Sequence, residues 1–137
     1  MFNAVQFHFH SPSEHTHNGK HYDLEMHIVH TAARTNDTSP IKYGAVGIFF
    51  DVEDFDSSMS VSDQQKVERF IGHLKFGATD NPVVPQVALG ELMALVNYES
   101  RWVYHGSLTT PPCSPFIYWN VINKVYPIKQ EQLDLFG

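Results

Sequence analysis

The stretch QFHFHSPSEHTHNGKHYDLEMHIVH, Gln6 to His30, decides the fold. From Ala4 to His10 the chain alternates: Phe7 and Phe9 point to one face, and Gln6, His8 and His10 to the other. That two-residue period is the signature of a β-strand. Pro12 breaks the strand, and Asn18-Gly19 is a strong hairpin signal because both residues tolerate positive φ. The return segment, Tyr22 to His30, alternates again, with Leu24, Met26 and Ile28 on one face and Asp23, Glu25, His27 and Val29 on the other. Paired antiparallel, the two strands carry one apolar face and one face of imidazoles and carboxylates.

Further along, YGAVGIFFDV (43–52) is a nearly continuous apolar strand, as a central position in a sheet requires. After it the period changes: Val67, Phe70, Ile71 and Leu74 follow helical spacing. Ser62 with Gln65 reads as a capping box, and Gly77 stops the helix. A strand is expected through Trp102 to Tyr104 and another in FIYWNV (116–121). Between them GSLTTPPCSP (106–115) is an extended loop, because its prolines and glycine exclude regular structure. Pro127 is placed to open a helix over PIKQEQLDLF. The fold class is mainly β, a sheet-centred α+β arrangement.

The 137 residues suit one compact domain. A net charge of −6, with nine Lys and Arg, argues against nucleic acid or an anionic membrane as partner. No apolar run approaches the ~20 residues of a membrane helix, and no secretory signal opens the sequence.

Nine histidines are many for so small a chain, and most fall between His8 and His30. Strand alternation puts His8 and His10 on one face, roughly 7 Å apart at the backbone, and His27 on the paired strand supplies a third imidazole. Three neutral nitrogens with an open fourth position describe a catalytic zinc site, whereas iron and manganese usually take a carboxylate as well. His15, His17, His21, His30, His73 and His105 read as surface or structurally hydrogen-bonded residues. A second metal reading is open: His8-x-His10-x-x-x-Glu14 also fits the first metal motif of the cupins, jelly-roll barrels that often bind iron or manganese.

QFHFHSPSEHTHNGKHYDLEMHIVH together with GSLTTPPCSPFIYW strongly resembles the alpha class of carbonic anhydrases. The first stretch has that family's H-x-H, S-E-H-T and E-x-H-x-V-H; the second has its S-L-T-T-P-P loop and following tryptophan. The resemblance implies a largely antiparallel central sheet with peripheral helices. It implies a hydro-lyase (carbonate dehydratase) that reversibly hydrates carbon dioxide to bicarbonate and a proton through a zinc-bound hydroxide. His8, His10 and His27 would hold Zn2+. Thr109 would be the gatekeeper whose hydroxyl gives its proton to Glu14. Thr110 would line the substrate site, and Val29, Ala45, Leu108 and Trp119 the apolar pocket for carbon dioxide. Gln6 and Glu25 would orient the first and third ligand histidines, and Tyr104 would belong to the network around the gatekeeper. Sulfonamides or anions would inhibit.

The same resemblance reads residues 1–137 as a single domain without the family's N-terminal and C-terminal parts. Cys113, the one cysteine, sits where secreted members bond a cysteine of the N-terminal part. Its position thereby points to a secreted, periplasmic or organellar location.

Overall fold

The computed structural model describes residues 2–32, 43–74, 92, 94–96, 100–107 and 115–136. Strands β1 (Phe2–His10), β4 (Leu24–Ala32), β5 (Tyr43–Asp51), β6 (Arg101–Ser107) and β7 (Pro115–Pro127) form one sheet in the order β1-β4-β5-β7-β6. The two-residue strands β2 (Thr16–His17) and β3 (Lys20–His21) pair separately. They are joined by Asn18 and Gly19 at φ 53° and 79°, the left-handed pair that a tight hairpin turn demands. The Asn-Gly signal thus makes a turn, but of a small ribbon inserted between the long strands β1 and β4.

Three of the sheet's pairings are antiparallel, and β5 runs parallel to β7. Parallel neighbours need a crossover, and helix α1 (Val61–His73) lies in the connection between them. The apolar run 43–51 occupies the middle of the sheet as its composition requires. The sheet has edges at β1 and β6 among the described residues, so it is open where a cupin would be a closed barrel.

One face of the sheet forms the main core. Leu24, Met26, Ile28, Val46, Ile48, Phe50, Ile122 and Tyr126 meet Val67, Phe70, Ile71 and Leu74 of the helix and its end. Phe7 and Phe9 add to the same cluster, which leaves the imidazoles of β1 and β4 on the opposite face.

Several boundaries differ from expectation. The cap of α1 is Ser60, whose hydroxyl accepts from the Asp63 N–H at 3.1 Å, so Ser62 and Gln65 lie inside the helix. Both serines are N-cap residue types; starting at Ser60 adds two residues, about half a turn, while Val67, Phe70 and Ile71 keep the buried stripe. At the other end, the Leu74 N–H closes on the Ile71 carbonyl at 3.2 Å, and Gly77 lies outside the described residues. Pro127 ends β7, and the short helix α2 (Gln130–Leu133) begins beyond it. β7 runs past FIYWNV because β5 and β6 flank it on both sides, and its pairing with β5 slips between Gly47 and Phe49.

Candidate metal centre

Register across the sheet assembles the site. One row reads His8, His27, Gly47, Val121 and Trp102 across β1, β4, β5, β7 and β6. The next reads Gln6, Val29, Ala45, Trp119 and Tyr104. Partners in register project to the same face, so Ala45 and Trp119, 74 positions apart in the chain, become neighbours.

His8 and His27 stand directly opposite, and His10 follows two residues along β1. The three ring centroids lie 4.6 to 5.3 Å apart. One nitrogen from each ring falls within 4.8 Å of the others, a loose version of the ~3.3 Å edge expected around a tetrahedral ion with Zn–N near 2.0–2.1 Å. Burial, then the neighbouring imidazoles, lower the pKa of His8; burial and His27 do the same for His10, against the opposing pull of Glu14. Both rings are therefore held toward the neutral form that ligates metal.

Tautomers follow from their partners. A carboxylate at neutral pH only accepts. His27 Nε2 meets Glu25 Oε2 at 2.5 Å, so the proton is on Nε2 and Nδ1 keeps its lone pair. His10 Nδ1 meets Glu14 Oε1 at 2.6 Å, which puts the lone pair on Nε2. That Nε2 atom is buried with no hydrogen-bond partner among the described residues. An orphaned buried acceptor costs about 1–3 kcal/mol, and a cation held by the three rings would remove that cost. The donor set and the orphaned nitrogen both fit zinc.

Glu25 is the electrostatic centre beneath the histidines. It is 0% exposed and accepts from the His15 backbone N–H at 2.8 Å, His15 Nδ1 at 2.6 Å and His27 Nε2. Burial alone would raise its pKa, but the donors from His15 and His27 outweigh that and bring it to about 2. His15 Nε2 in turn accepts from the Tyr104 hydroxyl. The Tyr104 phenol is pushed up to about 12, by burial first and then by the carboxylates of Glu25 and Glu14, so it keeps the proton it donates.

His15, Glu25 and His27 also converge closely enough to suggest a second metal position. Their contacts of 2.5–2.6 Å are hydrogen bonds, shorter than the separation of two ligands across an ion.

Trp119, 1% exposed, forms the wall of the site. Its ring lies 4.8 Å from that of His27 and stacks on Tyr104 at 7° between planes, and its N–H donates to the Ser107 carbonyl at 3.0 Å. Val29 and Ala45 are buried in the same row. Leu108, Thr109, Thr110 and Cys113 lie outside the described residues, and Gln6 is placed by backbone register alone.

Two contributions are not legible in the sequence. His15 is the structurally hydrogen-bonded residue of the two alternatives, but no period in its turn signals its partners, Glu25 and Tyr104. Gly47 faces the row of ligands, and a Cβ there would stand 3.2 Å from Glu25 Oε2. A glycine inside an otherwise apolar strand is the available signal. The other histidines keep structural or surface roles where described: His21 Nδ1 meets the Ser13 carbonyl at 2.5 Å, His17 Nδ1 meets the Tyr22 hydroxyl at 3.4 Å, and His105 packs on Tyr118.

The eukaryotic-type carbonic anhydrase family model matches residues 1–137, the whole chain. The chain belongs to the carbonic anhydrase family. It is 34% identical over 142 residues to putative carbonic anhydrase 3 of Caenorhabditis elegans, covering 99% of this chain and 53% of that protein. Against alpha carbonic anhydrase 4 of Arabidopsis thaliana it is 33% identical over 135 residues, covering 96% and 43%. Among solved structures, the alpha-carbonic anhydrase of Thermovibrio ammonificans in complex with sulfanilamide superposes with a TM-score of 0.71 at 32% identity. That match covers 98% of this chain and 53% of the bacterial one. The chain spans about half the length of the relatives it matches, and the cupin alternative falls.

Proposed function

We propose that the chain, a single domain over residues 1–137, supports reversible hydration of carbon dioxide to bicarbonate and a proton. Zn2+ would be held by His8, His10 and His27. The observation that carries this reading is the convergence of three imidazole nitrogens, two with lone pairs assigned by carboxylate partners, beside the buried wall of Val29, Ala45 and Trp119. When bound in such a set, zinc lowers the pKa of a water molecule to about 7 and so supplies a nucleophile at neutral pH.

The protein's own groups do the rest. Glu25 keeps His27 protonated on Nε2 and raises its basicity as a ligand; Gln6 would serve His8 in the same way. Carbon dioxide has no charge to steer it, so Val29, Ala45 and Trp119, with Leu108, would hold it by apolar contact. The Thr109 hydroxyl would donate to Glu14, since a carboxylate can only accept, leaving its lone pairs to select a protonated group in the site. Thr110 and the Thr109 backbone N–H would bind bicarbonate or a competing anion, where a sulfonamide would also bind.

Metal analysis with stopped-flow hydration tests the proposal. Zinc at one equivalent with sulfonamide-sensitive turnover is expected. His27→Ala should abolish zinc retention, and Thr109→Ala should keep zinc while lowering turnover about 100-fold. Zinc without turnover would identify a metal-binding domain that retains the site without the reaction. A folded chain that retains no zinc would refute the proposal.

A further inference from the structure

We infer that Gly106 is a positioning residue of the site. The lack of a side chain there lets the Trp119 indole lie across β6, hold the Ser107 carbonyl and so fix where the chain leaves the sheet for Leu108, Thr109 and Thr110. The inference rests on the zinc reading above and adds a residue to which that reading gives no part.

Gly106 follows Tyr104 by two residues on β6, so both belong to the face that carries the histidines. Register sets Tyr104 beside Trp119 and Gly106 beside Ile117. From its own row the indole leans over the next, and its Nε1–H donates to the Ser107 carbonyl at 3.0 Å. A Cβ on Gly106 would stand 3.0 Å from Trp119 Cδ1, 3.3 Å from Trp119 Nε1 and 2.6 Å from Tyr104 Cε2. Carbon atoms pack at about 3.5–4.0 Å, so any side chain at this position conflicts with both rings.

Neither ring is free to yield. Trp119 is 1% exposed and packs with Ala45 and Ile117, and its ring lies 4.8 Å from that of His27. Tyr104 stacks on the indole at 7° between planes and donates its hydroxyl to His15 Nε2. Relief takes both: Tyr104 swings outward and releases His15, and the pyrrole edge of the indole tilts away from Ser107.

The bond to Ser107 matters because of where it falls. The pairing of β6 with β7 shifts register between Gly106 and Ser107, and such irregularities end pairing or re-aim the chain. Ser107 is the last residue of β6, and Leu108, Thr109 and Thr110 follow it directly. A buried indole N–H therefore holds the last strand carbonyl before the residues proposed to meet carbon dioxide, bicarbonate and sulfonamides. Trp119 serves as wall and as anchor, and the second role is open to it only over a glycine.

The test separates the geometry of the anion site from metal binding. By chelator competition, Gly106→Ala should hold zinc as the wild type does, while the affinity of its zinc-loaded form for sulfanilamide should fall about 10–100-fold. Trp119→Phe keeps an aromatic wall and removes the N–H. It should also lower sulfanilamide affinity, and adding Gly106→Ala to it should cost little more, because the two changes break one contact. In 1H–15N spectra, with Trp102→Phe assigning the two indole signals, the Trp119 N–H should exchange slowly with solvent and should shift in Gly106→Ala. Fast exchange in the folded wild type, unchanged sulfanilamide affinity in either single variant, or parallel losses of zinc and sulfanilamide affinity in Gly106→Ala would each overturn this inference and leave the zinc reading standing. A wild type that retains no zinc would overturn both.

Discussion

Replacing Glu25 with alanine removes the acceptor for three N–H groups at once: the His15 backbone, His15 Nδ1 and His27 Nε2. Hydrogen bonds to a charged group contribute about 1.5–3 kcal/mol each, and an unsatisfied buried donor costs about 1–3 kcal/mol. The three share one carboxylate and are not additive, so the loss should resemble that of breaking a buried ionic network, about 3–5 kcal/mol. Glu25→Gln tests charge rather than volume. Oε2 accepts from both rings and Oε1 from the His15 backbone N–H, so an amide with its oxygen in the Oε2 place keeps both ring bonds and turns its NH2 toward the backbone donor alone. Urea denaturation of the chelator-treated protein should show the stability loss for alanine, with a smaller loss for glutamine. Zinc affinity by chelator competition should drop at least tenfold in Glu25→Ala. A loss under about 1 kcal/mol for Glu25→Ala, or unchanged zinc affinity in that variant, would refute the reasoning.

Acid should unfold the metal-free chain through the same group. The Glu25 pKa is about 2 in the fold against 4.5 ordinarily, so the unfolded state binds more protons between those values. Its stabilisation is complete above pH 4.5 and fades toward pH 2, worth about 3 kcal/mol over the span; Glu25→Ala should flatten that limb of the pH–stability curve. His8 and His10 are lowered from 6.5, so stability should also decline as pH falls through that region, measurable by urea midpoints from pH 7.5 to 5. Gly47→Ala would set a Cβ 3.2 Å from Glu25 Oε2, an atom pinned by His15 and His27; the expected cost is about 1–3 kcal/mol with weakened zinc retention, and a neutral urea midpoint would contradict it. Ser60→Ala should lower the urea midpoint by the equivalent of about 1 kcal/mol, whereas Ser62→Ala should leave it nearly unchanged.

Local periodicity made much of this protein legible. Alternation through Gln6–His10 and Asp23–Val29 placed His8, His10 and His27 on one face and Phe7, Phe9, Leu24, Met26 and Ile28 on the other, because successive strand residues must point oppositely. Helical spacing likewise found Val67, Phe70, Ile71 and Leu74, the stripe that covers the apolar face. Those readings need only the backbone's own repeat. Strand ends and caps were less legible, since Ser60 and Ser62 satisfy the same local rule and pairing with β5 and β6 extends β7. The register that aligns Val29, Ala45, Trp119 and Tyr104 could not be read from any one segment, because it depends on which strands become neighbours. Nor could the chain from Tyr104 through His15 to Glu25 and His27, or the reach of Glu14 back to His10. These bonds depend on where a buried carboxylate finds donors once water is excluded, and that is settled only when the whole sheet has closed around it.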